Sequence, residues 1–190
     1  MPKKPARPRR AGAFEIRVAL RHVSPPIWRQ LLVMTSATLH DLHRTLQEAF
    51  GWQDYHLYEF KHGARRFEVP RNDEATGEDS TRITLADLGL KQGDRLSYTY
   101  DFGDDWALDV TVLGTRAYDP GTTYPWCLDG ARAGPPEDCG GPPGYQRLLD
   151  VLADPSHPEF LDQREWVGSH FHPEMFDLRA TNRILQLAFE

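Results

Sequence analysis

The stretch Tyr98–Trp106, YTYDFGDDW, constrains the fold most, because a strand pattern stops and restarts within it. Upstream, Leu96, Tyr98 and Tyr100 alternate with Arg95, Ser97 and Thr99. Downstream, Trp106, Leu108, Val110 and Val112 alternate with Ala107, Asp109 and Thr111. A period of two sends neighbouring side chains to opposite faces, so each run predicts a strand with one face buried. The intervening Phe102-Gly-Asp-Asp carries turn chemistry and predicts a hairpin. Its tip crowds Asp101, Asp104 and Asp105 between two aromatic rings.

The flanking chain supplies partners for this hairpin. Phe14, Ile16, Val18 and Leu20 alternate with Glu15, Arg17, Ala19 and Arg21, and Ile27–Val33 follows Ser24-Pro25-Pro26. These predict two antiparallel strands joined by a proline-restricted turn. Thr38 is placed as a helix cap with Asp41 three residues on. Leu39, Leu42, Leu46, Ala49 and Phe50 recur at helical spacing, and Gly51 is placed to end the helix. Aromatic-rich Trp52–Phe60 predicts a third strand with Arg65–Val69 as its hairpin partner. Residues 70–82 turn polar and read as an exposed loop; Thr84–Leu88 reads as one helical turn. Tyr118–Gly144, with six prolines, reads as a long ordered loop, held by Trp126 and Cys127. Helices are expected over Tyr145–Ala153, over Pro158–Val167 and after Asp177. The order β-β-α-β-β-α-β-β, then loop, then helices, predicts an α+β fold with a mostly antiparallel sheet. Residues 14–190 are expected to form a single domain.

Charge is unevenly spread. The net charge is −6, yet the first ten residues hold five of the 22 Lys and Arg and no acid, leaving 17 basic against 28 acidic side chains. Residues 1–13 therefore read as a disordered basic arm on an acidic body. Lys3, Lys4, Arg7, Arg9 and Arg10 could neutralise phosphates, but the acidic body opposes broad contact with DNA. The arm lacks the apolar core of a signal peptide, and no run approaches the roughly 18 apolar residues of a membrane span. A cytoplasmic protein without membrane contact is expected. Two cysteines do not make a disulfide framework.

Several constellations have two readings. Asp101, Asp104 and Asp105 offer oxygen ligands for a hard divalent cation, although aspartates in tight turns also serve backbone amides. His40 and His43, one helical turn apart, read as surface or boundary histidines, since no third ligand accompanies them. Cys127 and Cys139 with His157, His170 or His172 have zinc-ligand chemistry but no knuckle spacing, so buried thiols are expected. His56 lies near Asp54 and Glu59 as a base with an orienting carboxylate, yet no nucleophile motif or phosphate-binding loop occurs. Trp52, Tyr55, Tyr58, Trp106, Tyr124, Trp126 and Trp166 serve equally as recognition anchors or as core.

Several stretches together resemble the plasmid pRiA4b ORF-3-like family, whose members are also known as insertion-sequence passenger proteins of the TnpR type. They are Ile27-Trp-Arg29, Leu39-His-Asp-Leu-His43, Ala49-Phe-Gly-Trp52, Tyr55–Phe60, Tyr100–Trp106, Cys127–Arg132, Pro135–Gly141, Trp166, Phe176-Asp-Leu178 and Asn182. The resemblance implies an α+β roll and assigns no biochemical role. A resolvase of the TnpR kind needs a nucleophile among clustered arginines, which is not found here. Two positions depart from the family pattern: Leu108 where histidine is common, and Gly134 where cysteine is.

The expectation is a non-enzymatic binding module, with no cofactor or metal, whose hairpin tip packs beneath the proline-rich segment. Its groove would be lined by Trp28, His56, Tyr58, Tyr100, Asp101, Asp104, Asp105, Trp106, Trp126, Asp129 and Asp138. The partner would be a basic or amphipathic protein segment. A metal-dependent enzyme built on the three aspartates, with Asp138 or His56, is the alternative, and a mobile-element accessory protein touching DNA through its arm is another.

Overall fold

The computed structural model describes residues 12–70 and 76–190. Lys3, Lys4, Arg7, Arg9 and Arg10 of the expected arm lie outside them. The elements are β1 (Gly12–Leu20), β2 (Trp28–Met34), α1 (Leu39–Phe50), β3 (Tyr58–His62), β4 (Arg65–Glu68), β5 (Glu78–Asp79), β6 (Arg95–Tyr100), β7 (Trp106–Ala117), β8 (Trp126–Ala131), α2 (Gly141–Ala153), α3 (Phe160–Val167) and α4 (Leu178–Ala188). The strands form one eight-stranded sheet in the order β5-β4-β3-β6-β7-β1-β2-β8. Every pairing is antiparallel except β4 with β5. The fold is thus α+β with a mostly antiparallel sheet.

The alternation that predicted the strands explains how the sheet packs. Phe67, Phe60, Tyr98, Leu108 and Leu20 lie opposite one another on five successive strands, and all are buried. The next row, Tyr58, Tyr100 and Trp106, is buried too. Directly opposed residues share a face, so these rows make one continuous apolar surface. The opposite face of the sheet carries ion pairs: Arg21 with Asp109, Arg116 with Glu15, and Arg66 and Lys61 with Glu59, whose side chain they cover.

Helix α1 adds Leu39, Leu42, Leu46, Ala49 and Phe50 to the same core. Its first turn is closed by a capping box in which Asp41 N–H donates to Thr38 Oγ1 (3.0 Å) and Thr38 N–H to Asp41 Oδ2 (2.8 Å). Gly51, at φ 79°, ends it in the left-handed conformation that glycine adopts without strain.

The structure departs from the expected order in three places. Thr84–Leu88 is a series of turns, because Leu85 N–H and Ala86 N–H donate to the carbonyls of Ala37 and Thr35 rather than to a helix. Glu78–Asp79, expected in a loop, extends the sheet beyond β4. Trp126–Ala131, also expected in a loop, is the edge strand β8 against β2. In addition, β1 begins at Gly12, inside the expected arm. Among the described residues, no helix is long and apolar enough to cross a membrane.

Candidate functional site

Strand β8 leaves the sheet at the end where the β6–β7 hairpin turns, since Ala131 lies opposite Trp28, Trp28 opposite Ala19, and Leu20 opposite Leu108. Residues 132–140 then cross that end of the sheet. Arg132 Nη1 donates to Pro25 O (2.8 Å), Trp52 Nε1 to Pro135 O (3.1 Å), and Gly140 N–H to Asp104 Oδ2 (3.1 Å). Two glycines permit the close approach. A Cβ on Gly134 would sit 1.9 Å from Phe50 O, and one on Gly141 2.2 Å from Asp104 O. The acidic hairpin tip and the proline-rich segment are therefore packed together.

Asp101, His56 and Asp138 meet at this junction. His56 Nε2 lies 3.2 Å from Asp138 Oδ1 and 3.6 Å from Asp101 Oδ2. One donor atom from each lies within 4.8 Å of the others, and no other group of three metal-ligating side chains is so placed among the described residues. Asp101 takes a left-handed conformation (φ 55°), and its Oδ1 accepts from Gly103 N–H at 2.9 Å. That Asx turn leaves Oδ2 aimed at the imidazole. His56 Nε2 is shut off from solvent yet makes no hydrogen bond, because neither carboxylate lies where its N–H or lone pair could be used well.

Beside the triad, Glu137 binds the loop before β3 to the sheet. Its Oε1 accepts from Tyr100 OH and from Gln53 N–H, while Oε2 is buried without a partner. Burial and the adjoining Glu137 carboxylate both push the Tyr100 phenol up, so it stays a donor. Burial drives the Cys139 thiol up to about 12, with Asp104 and then Asp138 adding to the effect. An inert thiol is therefore the neighbour of the carboxylates. Next to Asp138 and Cys139 opens a groove of about 490 Å³ between α2 and α3, whose wall includes Arg147, Glu159, Gln163 and Trp166.

The expected groove residues separate into three groups. His56, Asp101 and Asp138 converge, with Asp104 and Asp105 on the adjacent turn. Asp104 is held by Gly140, Asp105 is exposed, and among the described residues neither belongs to a group of three possible metal ligands. Tyr58, Tyr100 and Trp106 are corrected: these residues are 6%, 0% and 0% exposed, and they fill the core instead of lining a groove. Burying an aromatic ring is the stronger drive here, and only the Tyr100 hydroxyl reaches the site. Trp28, Trp126 and Asp129 sit on β2 and β8, and β8 is three strand spacings, roughly 14 Å, from β7. There Trp28 stacks under the Arg17 guanidinium, 3.9 Å from its ring centre, and Asp129 Oδ1 accepts from Gly130 N–H.

Sequence reasoning missed Glu137 and also a buried polar chain. His43, read as a boundary residue, is fully buried, stacked 3.7 Å from the Tyr58 ring. Its Nδ1 is 2.8 Å from Tyr98 OH and its Nε2 2.8 Å from Asp54 Oδ1. Hydroxyl, imidazole and carboxylate are in the order of a nucleophile triad, but Tyr98 is 0% exposed and its oxygen also accepts from Gln47, so no substrate reaches it. The (i, i+3) spacing of His40 and His43 was the only signal for it.

Residues 12–180 match the family described as plasmid pRiA4b ORF-3-like protein. The chain belongs to that family. It is 37% identical over 164 residues to the uncharacterized protein y4hQ of Sinorhizobium fredii (strain NBRC 101917 / NGR234), covering 84% of this chain and 82% of that protein. The crystal structure of MM3350, a protein of unknown function from Methanosarcina mazei Go1, superposes with a TM-score of 0.82 at 32% identity, over 90% of this chain and 98% of that one. Within the pRiA4b ORF-3-like pattern, the two departures fall at packed positions. Leu108 is fully buried, and Gly134 lies against Phe50 O. The triad uses neither.

Proposed function

We propose that this pRiA4b ORF-3-like protein is a non-enzymatic binding module whose working face is the junction of the hairpin tip with residues 132–141, and that its ligand is positively charged. One observation carries the reading. Asp101, Asp104, Asp105, Glu137 and Asp138 come together from two separate segments, and among the described residues none makes an ion pair with lysine or arginine. The carboxylates of the sheet's outer face are neutralised by arginine and lysine, as at Asp109, Glu15 and Glu59. Arg21 acts on Asp105 only from beyond ion-pair distance and is itself paired with Asp109, so the gathered like charges still repel one another, and a cationic ligand relieves that repulsion. The adjoining groove with its half-exposed Trp166 adds an apolar contact, which suits a basic, amphipathic segment.

Fluorescence anisotropy with a labelled peptide of alternating lysine and leucine tests this. Binding should weaken in Asp104→Asn/Asp105→Asn and persist in Asp119→Asn. Asp119 lies just beyond Ala117, at the far end of β7, roughly 36 Å of strand away. Equal binding by the two variants would overturn the assignment of the face, as would no binding by the wild type.

A further inference from the structure

We infer that His56 Nε2, Asp101 Oδ2 and Asp138 Oδ1 together hold one divalent first-row transition-metal ion. The inference rests on the cationic-ligand reading above and names the ligand at its centre. Metal–nitrogen and metal–oxygen bonds of about 2.1 Å put adjacent donors roughly 3.0 Å apart in an octahedron and roughly 3.4 Å apart in a tetrahedron. The two distances from His56, 3.2 and 3.6 Å, each lie within about 0.2 Å of one of those edges, so a small closure brings the donors to bonding geometry, and all three lie within 4.8 Å of one another.

The state of each donor points the same way. Asp101 is nine-tenths buried, and with Oδ1 committed to Gly103 N–H its Oδ2 has no hydrogen-bond donor. His56 Nε2 is shut off from solvent and makes no hydrogen bond, although the side chain as a whole is 31% exposed. The His56 nitrogen is thus a buried polar atom left unsatisfied, and one cation bonded to it and to the free oxygen of Asp101 satisfies it. The third donor, on Asp138, is 69% exposed, so the ion would be reached from the side of the α2–α3 groove that Asp138 also lines.

The donor types narrow the ion. One imidazole with two carboxylates suits zinc, manganese or ferrous iron better than calcium, which prefers six to eight oxygens. Three protein donors leave coordination positions for water or for a group on a bound partner.

The test is calorimetric titration of EDTA-treated, dialysed full-length protein with zinc chloride, paired with histidine NMR during addition of manganese chloride. One equivalent of zinc should bind, and manganese should broaden the ring signals of His56 while sparing His62. Asp138→Asn, at an exposed position where folding is not at stake, and His56→Gln should each weaken zinc binding beyond the 10–100-fold typical of losing an outer-shell partner. Asp119→Asn, at the far end of β7, should leave it unchanged. Absence of stoichiometric zinc binding, or binding indifferent to Asp138→Asn, overturns the inference. If the lysine–leucine peptide still binds through the acidic turn in that case, the cationic face stands and only the metal is lost; if it too fails, both fall.

Discussion

Replacing His43 with glutamine should remove a specific pH dependence of stability. In the fold Gln47 Nε2 donates to the Tyr98 oxygen, so the Tyr98 proton points to His43 Nδ1, and Nε2–H faces Asp54. This is the neutral imidazole. Burial lowers the His43 pKa from 6.5 to about 4, and the Asp54 carboxylate opposes that shift without cancelling it. As pH falls below 6.5 the unfolded chain takes up the proton first, so stability is full above that value and is lost on the way down to about pH 4. At 1.36 kcal/mol per pKa unit the whole loss is about 3 kcal/mol, of which about 2 kcal/mol falls between pH 7 and pH 5. Urea unfolding of wild type and His43→Gln at those two pH values measures it. Groups common to both proteins cancel, and the wild-type advantage should shrink by about 2 kcal/mol. In wild type, the His43 ring resonances should not titrate over the same range. A gap that stays constant from pH 7 to pH 5, with a titrating His43, would refute the argument from burial.

Three further outcomes are expected. Gly134→Ala places a methyl 1.9 Å from Phe50 O, so the 132–140 crossing must shift; a loss of about 1–3 kcal/mol is expected by thermal or urea denaturation, and unchanged stability would contradict the packing. Asn182→Ala leaves Cys127 N–H and C=O unpaired in the interior, which should cost about 1–3 kcal/mol, while Ile184→Ala on the exposed side of α4 should cost much less in the same assay. Burial raises Cys127 to about 11 and Cys139 to about 12, so at pH 8 the native protein should react far more slowly with a disulfide reagent than the urea-unfolded chain, which exposes both thiols; two fast equivalents from the native protein would contradict this.

The parts of the fold legible in sequence are those where local pattern and tertiary environment agree. Leu96–Val112 alternates, and its apolar half is the half that the sheet buries. Thr38, Asp41 and Gly51 are the capping residues of α1, and they act as caps. Strand β8 was hidden because Asp129 and Gly130 are poor strand residues, and its position depends on pairing with β2 and on Asn182, 55 residues away. Thr84–Leu88 misled because its backbone donors are claimed by residues 35–37. The site was legible as a roll of residue types, since His56, Asp101 and Asp138 all stood out. Their meeting was not, because it follows from the path of residues 132–140 across the sheet end. Aromatic rings beside a turn read alike as anchors or as core, and burial decided for core at Tyr58, Tyr100 and Trp106.

The pair of hydrogen bonds between the Asn182 side chain and the main chain of Cys127 has a wider effect. On its outward side, β8 presents that N–H and C=O to a side-chain amide on α4, so the position where an incoming strand would dock is already taken. The opposite border, β5, is two residues long. A mostly antiparallel sheet of eight strands is otherwise an inviting template for intermolecular addition, and among the described residues neither margin offers a long run of free backbone to start it. Self-association through sheet extension is thereby disfavoured at both borders.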